Sequence, residues 1–311
     1  LILSFIFVFI TVKINIYANV VGFDRIRDEF FLYQEFRASL FGGMFFDWVF
    51  NIFLIPFSWL FVIYLGYTTE YKKWFYGLLL IISLYNISIA GRFSIYYAFN
   101  ILVIRFTYFN GFKFKFLIKL IMLVLIIVLL SSLILTLRDD NISFTESINS
   151  LIDYHIIPPF FLINKMQEGF GYPSFSNIPF YTVFSSFLLS IMKLIGAYQG
   201  DVPYYYFATY LNDFTLYSEL TKSDYNAFST VFPFFIVEYS FLAPLFVFLF
   251  FSILFLSCIF VEYKYRKVYI TFLILYVYFS FFKYEIASPG FQFFVVFILL
   301  YSLTKRVVQK I

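Results

Sequence analysis

Apolar residues run along this chain in long blocks rather than in amphipathic stripes. Eight blocks, roughly 1–18, 45–66, 74–90, 93–109, 116–136, 233–260, 268–283 and 287–304, approach the about 20 residues a helix needs to cross the hydrocarbon core of a bilayer. Only helices and closed barrels satisfy every backbone polar group there, and no ten-residue units of period-2 alternation occur, so the blocks predict helices. The pattern predicts an all-α polytopic membrane protein with about eight transmembrane helices. Five of them, with short loops, fall in 1–136. A long extracytoplasmic loop follows over 137–232, and three more helices and a cytoplasmic tail occupy 233–311.

The first block opens at Leu1 with no initiator Met and no basic segment before it. It does not read as a signal peptide, and one or more further helices are expected upstream. Inside the long loop, Ile178–Ala197 is apolar enough to suggest a ninth crossing. Pro173, Pro179, Gly196, Gly200 and Pro203 around it favour a broken, re-entrant or interfacial element instead. Earlier in the loop, Ser143 and Glu146 have the spacing of a capping box. Phe144, Ile148, Leu151 and Ile152 follow at helical intervals, which predicts a short amphipathic helix on the outer interface.

Charge sets the sides. Lys72 and Lys73, Arg105 with Lys113, Lys115 and Lys119, Lys264 with Arg266 and Lys267, and Lys305 with Arg306 and Lys310 fall in alternate connections, which places those connections in the cytoplasm. The connections 19–44, Gly91–Arg92, 137–232 and 283–288 then face outward. The long loop carries four Lys and Arg against nine Asp and Glu, which agrees with an outer location. A single further crossing at Ile178–Ala197 would invert every later loop against this rule.

Composition changes the picture less than pattern does. At 62% hydrophobic and 13% charged, the chain has more apolar surface than one water-soluble core of this length uses. The abundance of Phe, Tyr, Ile, Lys and Asn also reads as AT-rich coding, so aromatic content alone is discounted. One cysteine, Cys258, and one histidine, His155, leave no disulfide framework and no Cys or His metal cluster. No cofactor, no metal and no nucleic-acid partner are expected.

Candidate chemistry gathers outside. A connection of nearly a hundred residues is far longer than joining two spans requires, and long ordered loops carry function. It contains Asp153 and His155, the tyrosines Tyr204, Tyr205, Tyr206 and Tyr210, and the stretch from Asp213 to Asn226. Tyrosines stack on sugar faces and hydrogen-bond sugar hydroxyls; the competing structural reading is an interfacial aromatic belt.

Arginine use is asymmetric. The outer connections hold five Arg (Arg25, Arg27, Arg37, Arg92 and Arg138) and four Lys, whereas the cytoplasmic ones hold three Arg and nine Lys. A guanidinium fork binds phosphate or carboxylate bidentately, so arginines at the outer boundary suit a lipid-linked diphosphate or an acidic glycan. Pairing with adjacent acids is the alternative for Arg25, Arg27 and Arg138. Arg92 has no acid beside it in sequence. Asp47 and Glu238 lie at the outer ends of two predicted spans, where a carboxylate faces a cavity, an arginine or solvent. His155 has the chemistry of an acid or base near neutral pH, with simple solvation as its alternative.

Two stretches carry a resemblance. Asp224-Tyr-Asn-Ala-Phe-Ser-Thr-Val-Phe-Pro-Phe-Phe-Ile-Val-Glu-Tyr-Ser240 resembles the Asn-Ala/Thr-Phe…Pro-Phe-Tyr…Asp-Phe-Gly segment of oligosaccharide repeat-unit polymerases, the Wzy-type O-antigen and capsule polymerases. Ala90-Gly91-Arg92-Phe93-Ser94 is similar to that family's small-Gly-Arg-Ser turn between two short spans. The chain departs from the pattern at Glu238, where the family often has Asp, and at Ser240, where it often has Gly. It also lacks the Arg-x10-Gly pair described in some members' outer loops.

The resemblance implies glycosyl transfer between two undecaprenyl-diphosphate-linked oligosaccharides at the outer face of a bacterial inner membrane. An acceptor hydroxyl attacks the anomeric carbon of the growing chain and displaces its lipid diphosphate, and a chain-length regulator is a possible partner. The chemistry needs a stabiliser of diphosphate charge, for which Arg92, Arg37 and Arg138 are candidates. It needs an acceptor base, Glu238 or His155. It needs a sugar groove, for which Asp153, Tyr204, Tyr205, Tyr210 and Asn226 are candidates. The rivals are an O-antigen ligase and, from a different class, a flippase for the same lipid-linked units. A transporter should show broken or charged helices at membrane depth and pseudo-repeats, and no internal repeat appears in the sequence.

Overall fold

The computed structural model describes residues 1–32, 34–89, 91, 93–111, 114–138, 143–150, 152–153, 181–200, 202, 216–218, 223–225, 232–280 and 288–308. It divides into two compact units, Leu1–Leu151 and Ile152–Ile311. The described residues are almost entirely helical, and each of the eight apolar blocks carries helix. Four helical segments are long and apolar enough to cross a membrane: Ile2–Val21, Met44–Gly66, Ile118–Thr136 and Ser240–Ile259.

In the first unit, α1 (Ile2–Val21) packs most extensively against α6 (Lys72–Ser88). The connection 19–44, read from sequence as a plain outer loop, instead contains two short helices, α2 (Phe23–Leu32) and α3 (Gln34–Phe41). Ile26 and Phe30 of α2 are buried while Arg25 is exposed. This amphipathic spacing is the physical reason a charged segment folds back onto an apolar bundle.

The second span is irregular. It comprises α4 (Met44–Val49), a π-turn over Phe50–Leu54, and α5 (Ile55–Gly66). Pro56 sits in the first turn of α5; its ring has no N–H and would collide with the carbonyl four residues earlier in a regular helix, so the wider turn just before it relieves that clash. Phe7, Phe50 and Tyr85 form a three-ring cluster, with centroids 5.2 to 5.4 Å apart, that binds α1, the π-turn and α6 together. Next come α7 (Phe93–Asn110) and α8 (Phe114–Arg138). Much of α8 is exposed apolar surface, including Ile121, Met122, Leu125, Leu129 and Leu133; such a face is stable in lipid and not in water.

Residues 144–150 and 152–153 are helical and are referred to as α9. The predicted capping box is present: the Ser143 N–H donates to Glu146 Oε2 at 2.7 Å and the Glu146 N–H to Ser143 Oγ at 3.3 Å. The buried positions are Ser147, Ser150 and Asp153, while Phe144 and Ile152 face outward. Apolar residues pointing away from the protein are what an interfacial helix presents to lipid.

In the second unit, α10 (Tyr181–Leu194) has 14 residues, about 21 Å at 1.5 Å per residue and short of the about 30 Å of a hydrocarbon core. It ends where Gly196 adopts φ +75° and the N–H groups of Ala197 and Tyr198 return to the Met192 carbonyl; glycine takes this left-handed conformation without strain. Three-residue strands β1 (Leu216–Ser218) and β2 (Ser223–Tyr225) pair antiparallel, with Tyr217 opposite Asp224. Among the described residues this hairpin is the strand structure in an otherwise helical set.

The block 233–260, expected to be one span, is folded back on itself. Helix α11 (Phe232–Tyr239) is followed by a 3-10 turn at Ser240–Leu242 and by α12 (Ala243–Leu256). Phe235 meets Phe250 at 5.4 Å, and Tyr239 stacks on Phe246 at 3.7 Å. In a continuous helix residues 15 apart would lie about 22 Å from each other, so α11 runs antiparallel along the start of α12. Pro244 in the first turn of α12 explains the break, because it cannot donate to the Ser240 carbonyl. The unit closes with α13 (Tyr263–Ser280) and α14 (Pro289–Val308). Buried Ser257 and Tyr269 share a 2.8 Å hydroxyl contact that ties the end of α12's segment to α13.

Gln292 of α14 is inserted into the backbone of α10. Its amide nitrogen donates to the Val183 carbonyl, and its amide oxygen accepts from the Phe187 N–H at 3.0 Å. Residues 183 and 187 stand four apart on α10, the two ends of one rung of its ladder, so a single side chain of α14 contacts both ends of that rung.

Candidate functional site

Of the residues singled out from sequence, Arg92, His155, Tyr204, Tyr205, Tyr210 and Asn226 lie outside the described residues. Arg138 is the last residue of α8, and its side chain also lies outside the described set. Asp153 is helical and 6% exposed. Glu238 and Arg37 occupy defined positions in different units, and each is built up separately below.

Arg37 extends from α3 to Asp47 in the first turn of α4. Its Nε lies 3.4 Å from Asp47 Oδ1, and its Nη1 donates to the Phe30 carbonyl at 3.1 Å. Asp47 is 2% exposed. The Asn51 amide donates to the same Oδ1 at 2.7 Å and to the Asp47 backbone carbonyl at 2.9 Å. A carboxylate in a spanning helix is costly and demands partners; of the surroundings left open by the sequence for Asp47, the structure shows an arginine, Arg37. Arg37 itself remains under-satisfied. Its Nε is buried without a hydrogen bond, and 3.4 Å is well beyond the about 2.7–2.9 Å of a strong charge-assisted contact. The Tyr85 hydroxyl, 1% exposed, has no hydrogen-bond partner among the described residues either. It lies within electrostatic reach of both Asp47 and Arg37.

Glu238 is half-buried one residue before the end of α11. Ser240, two residues on, has φ +50° and is the one non-glycine residue with positive φ among the described residues. An L-residue there carries a cost of roughly 1–2 kcal/mol that glycine avoids, so the corner is held by the packing of α11 on α12. The sequence placed Glu238 near the outer end of a straight span; the structure places it at a fold-back. Pro244 is the sequence signal that marks this fold-back.

The turn around Gly91 has a local reason for its glycine. The Gly91 N–H closes the end of α6 on the Asn86 carbonyl at 2.8 Å, and a Cβ at this position would meet that same oxygen at 3.1 Å. Arg105 needs correction as a loop charge. It sits inside α7, 7% exposed, and donates to the Leu65, Gly66 and Thr68 carbonyls at the end of α5. Its guanidinium also lies over Phe75 at 4.6 Å and Phe109 at 4.9 Å. The charge therefore caps the end of α5, where the Leu65 carbonyl also accepts from the Thr68 N–H and hydroxyl.

Outside the spans, hydrogen bonds from the Ser143 hydroxyl and then its backbone N–H hold the Glu146 carboxyl below the usual carboxylate range. Among the described residues no group of three His, Cys, Asp or Glu side chains could hold a metal ion. No protein-family model, no curated protein and no solved structure matches this chain.

Proposed function

We propose that the protein polymerises undecaprenyl-diphosphate-linked oligosaccharide repeat units into O-antigen or capsular polysaccharide. The reaction is glycosyl transfer at the outer face of a bacterial inner membrane, crossed by about eight helices. The observation that carries this reading is the Glu238–Ser240 corner. The resemblance to repeat-unit polymerases has glycine at the position of Ser240, and this residue adopts the positive φ that glycine tolerates best. The acidic residue of the pattern, Glu238, stands half-buried beside that corner, where a general base is within reach of solvent and of a bound acceptor. The close approach at Gly91 gives a second position of the resemblance a physical reason. Arg37, Arg92 and Arg138 then serve the departing diphosphate, and the loop tyrosines with Asp153 and Asn226 serve the sugars.

One observation favours a second reading, transport of the same lipid-linked units. Two short helices, α10 and α11, pack on each other in the second unit, and discontinuous helices are a transporter's usual means of building a site at membrane depth.

Deletion of the gene, followed by electrophoresis of surface polysaccharide, separates the readings. Polymerisation predicts loss of long chains with retention of a single-repeat band. Transport predicts loss of the single-repeat band as well, and an unchanged ladder excludes both. A reporter active only outside the cytoplasm should be active when fused after Gly169 and silent after Lys115; the reverse would invert the orientation.

A further inference from the structure

The groups around Asp47 are not matched one to one. Asp47 Oδ1 takes both the Arg37 contact and the Asn51 hydrogen bond, so a single oxygen carries the partners of the carboxylate among the described residues. Arg37 uses one guanidinium hydrogen bond, to Phe30, and faces Asp47 side-on at 3.4 Å. Tyr85 offers a fully buried hydroxyl with no acceptor. Its ring is packed against Phe50 at 5.4 Å, one helical turn from Asp47. An unmet donor in such surroundings costs about 1–3 kcal/mol, and a loose, one-sided ion pair recovers little of the cost of burying its charges. A rearrangement in which Asp47 took the Tyr85 hydroxyl while keeping Asn51 would give that hydroxyl an acceptor and leave the Arg37 fork free.

We propose that Asp47 is an internal competitor for the Arg37 guanidinium, displaced when a diphosphate headgroup reaches the outer boundary, with Tyr85 as the hydroxyl that receives the released carboxylate. The ligand class follows from the donors. A freed guanidinium presents a planar fork that fits two phosphate oxygens, and its side chain is already 22% exposed, whereas Asp47 stays inside. Arg37 is mounted on α3, a short helix outside the spanning segments, so the exchange needs motion of one side chain and its helix rather than of the bundle. The π-turn beginning at Phe50 lies directly after Asp47, and such turns supply the local slack that side-chain exchange requires. Holding Arg37 on Asp47 until substrate arrives lowers apparent affinity for the diphosphate by the fraction of time the fork is occupied. This inference rests on the reading of Arg37 as a ligand for the lipid-linked diphosphate.

The test measures binding, so that it does not depend on polymer formation. Trp48 adjoins Asp47, and replacing Trp59 and Trp74 by Phe leaves it as the sole indole of the full chain in phosphatidylcholine nanodiscs. Polyprenyl diphosphate, inorganic pyrophosphate and polyprenol are titrated against Trp48 emission. The diphosphate should give a saturable change and polyprenol none. Tighter binding of the lipid-linked form than of pyrophosphate assigns the site to a membrane-borne headgroup, and equal binding assigns it to the diphosphate group alone.

Asp47→Asn should tighten binding by about tenfold, Tyr85→Phe should weaken it by a similar factor, and Arg37→Gln should abolish it, as expected for coupled equilibria of this size. Unchanged or weaker binding by a folded Asp47→Asn overturns the competition. If that variant does not fold, unchanged binding by Tyr85→Phe overturns the exchange. Equal responses to polyprenol and to its diphosphate overturn the ligand class. Competition without a polysaccharide phenotype would leave this inference standing and remove the polymerase reading. A polymerase whose diphosphate affinity ignores both substitutions would do the opposite.

Discussion

Both units bury polar groups among apolar helices, but they satisfy them by opposite means. In the first, Arg37 and Asp47 are opposite charges facing each other across two helices, and the hydroxyl of Tyr85 has no hydrogen-bond partner among the described residues. In the second, Gln292 is neutral and bonds the α10 backbone at Val183 and Phe187 with both ends of its amide. A charge pair in low dielectric is strong when complete and severely destabilising when half is removed. An amide wedge carries no such long-range term, and its loss is confined to the groups it touches. The first arrangement suits a site that changes partners, and the second suits a joint that stays closed.

The sharpest way to break this contrast is to remove one charge. Arg37→Leu leaves Asp47 buried and unpaired and should cost about 3–5 kcal/mol, read as a fall in thermal unfolding temperature in detergent micelles. Adding Asp47→Leu should restore most of that loss. Gln292→Leu should cost less, about 1–3 kcal/mol, and no compensating change elsewhere should rescue it. If Gln292→Leu proves the more damaging, the distinction between a charged exchange site and a neutral joint is wrong.

Smaller effects sharpen the comparison within the second unit. Ser240→Gly removes the strain of a positive φ at the α11–α12 corner and should stabilise by about 1 kcal/mol or less, the lower chain entropy of serine in the unfolded state offsetting part of the gain. A destabilised Ser240→Gly variant would show that the hydroxyl, not the backbone, matters there.

The smallest effect is pH-dependent. Glu146 has its carboxyl pKa lowered by Ser143, so its contribution is fully present above the ordinary carboxylate pKa. It is lost as pH falls through that range into the depressed folded value. Amide protection factors across residues 144–150, referred to the intrinsic exchange rate at each pH, should therefore fall on moving from about pH 7 to about pH 3, and Glu146→Gln should remove most of that dependence.

Helix positions were legible because they rest on local pattern. Each apolar block carries helix, and the Ser143–Glu146 box closes as its spacing implies. The shortness of α10 also follows from sequence, through Gly196 and the prolines around the block. What was missed involves partners remote in sequence or a signal that was passed over. Arg105 looked like a cytoplasmic loop charge, yet it reaches 39 residues back to cap α5. The helices α2 and α3 were hidden because their charged residues outweigh the few apolar ones, Ile26 and Phe30, that anchor the segment. The block 233–260 seemed continuous because hydropathy does not register direction: a helix that turns back on itself keeps the same composition as one that continues. Pro244 marks the turn, but a proline in a membrane helix is compatible with either a kink or a reversal.

By itself the sequence determined a helical chain with several segments able to cross a membrane, since that follows from the length and apolarity of runs and from the need to satisfy backbone groups without water. It also determined that half of the acidic residues, nine of 18, fall in one connection, 137–232. Only the tertiary structure decided that Arg37 belongs to Asp47, that Gln292 bonds the backbone of α10, and that α11 folds back along α12. Each of those depends on which side chains meet across helices, and inside an apolar bundle the alternatives differ by the satisfaction of a few polar atoms, a quantity that no local pattern encodes.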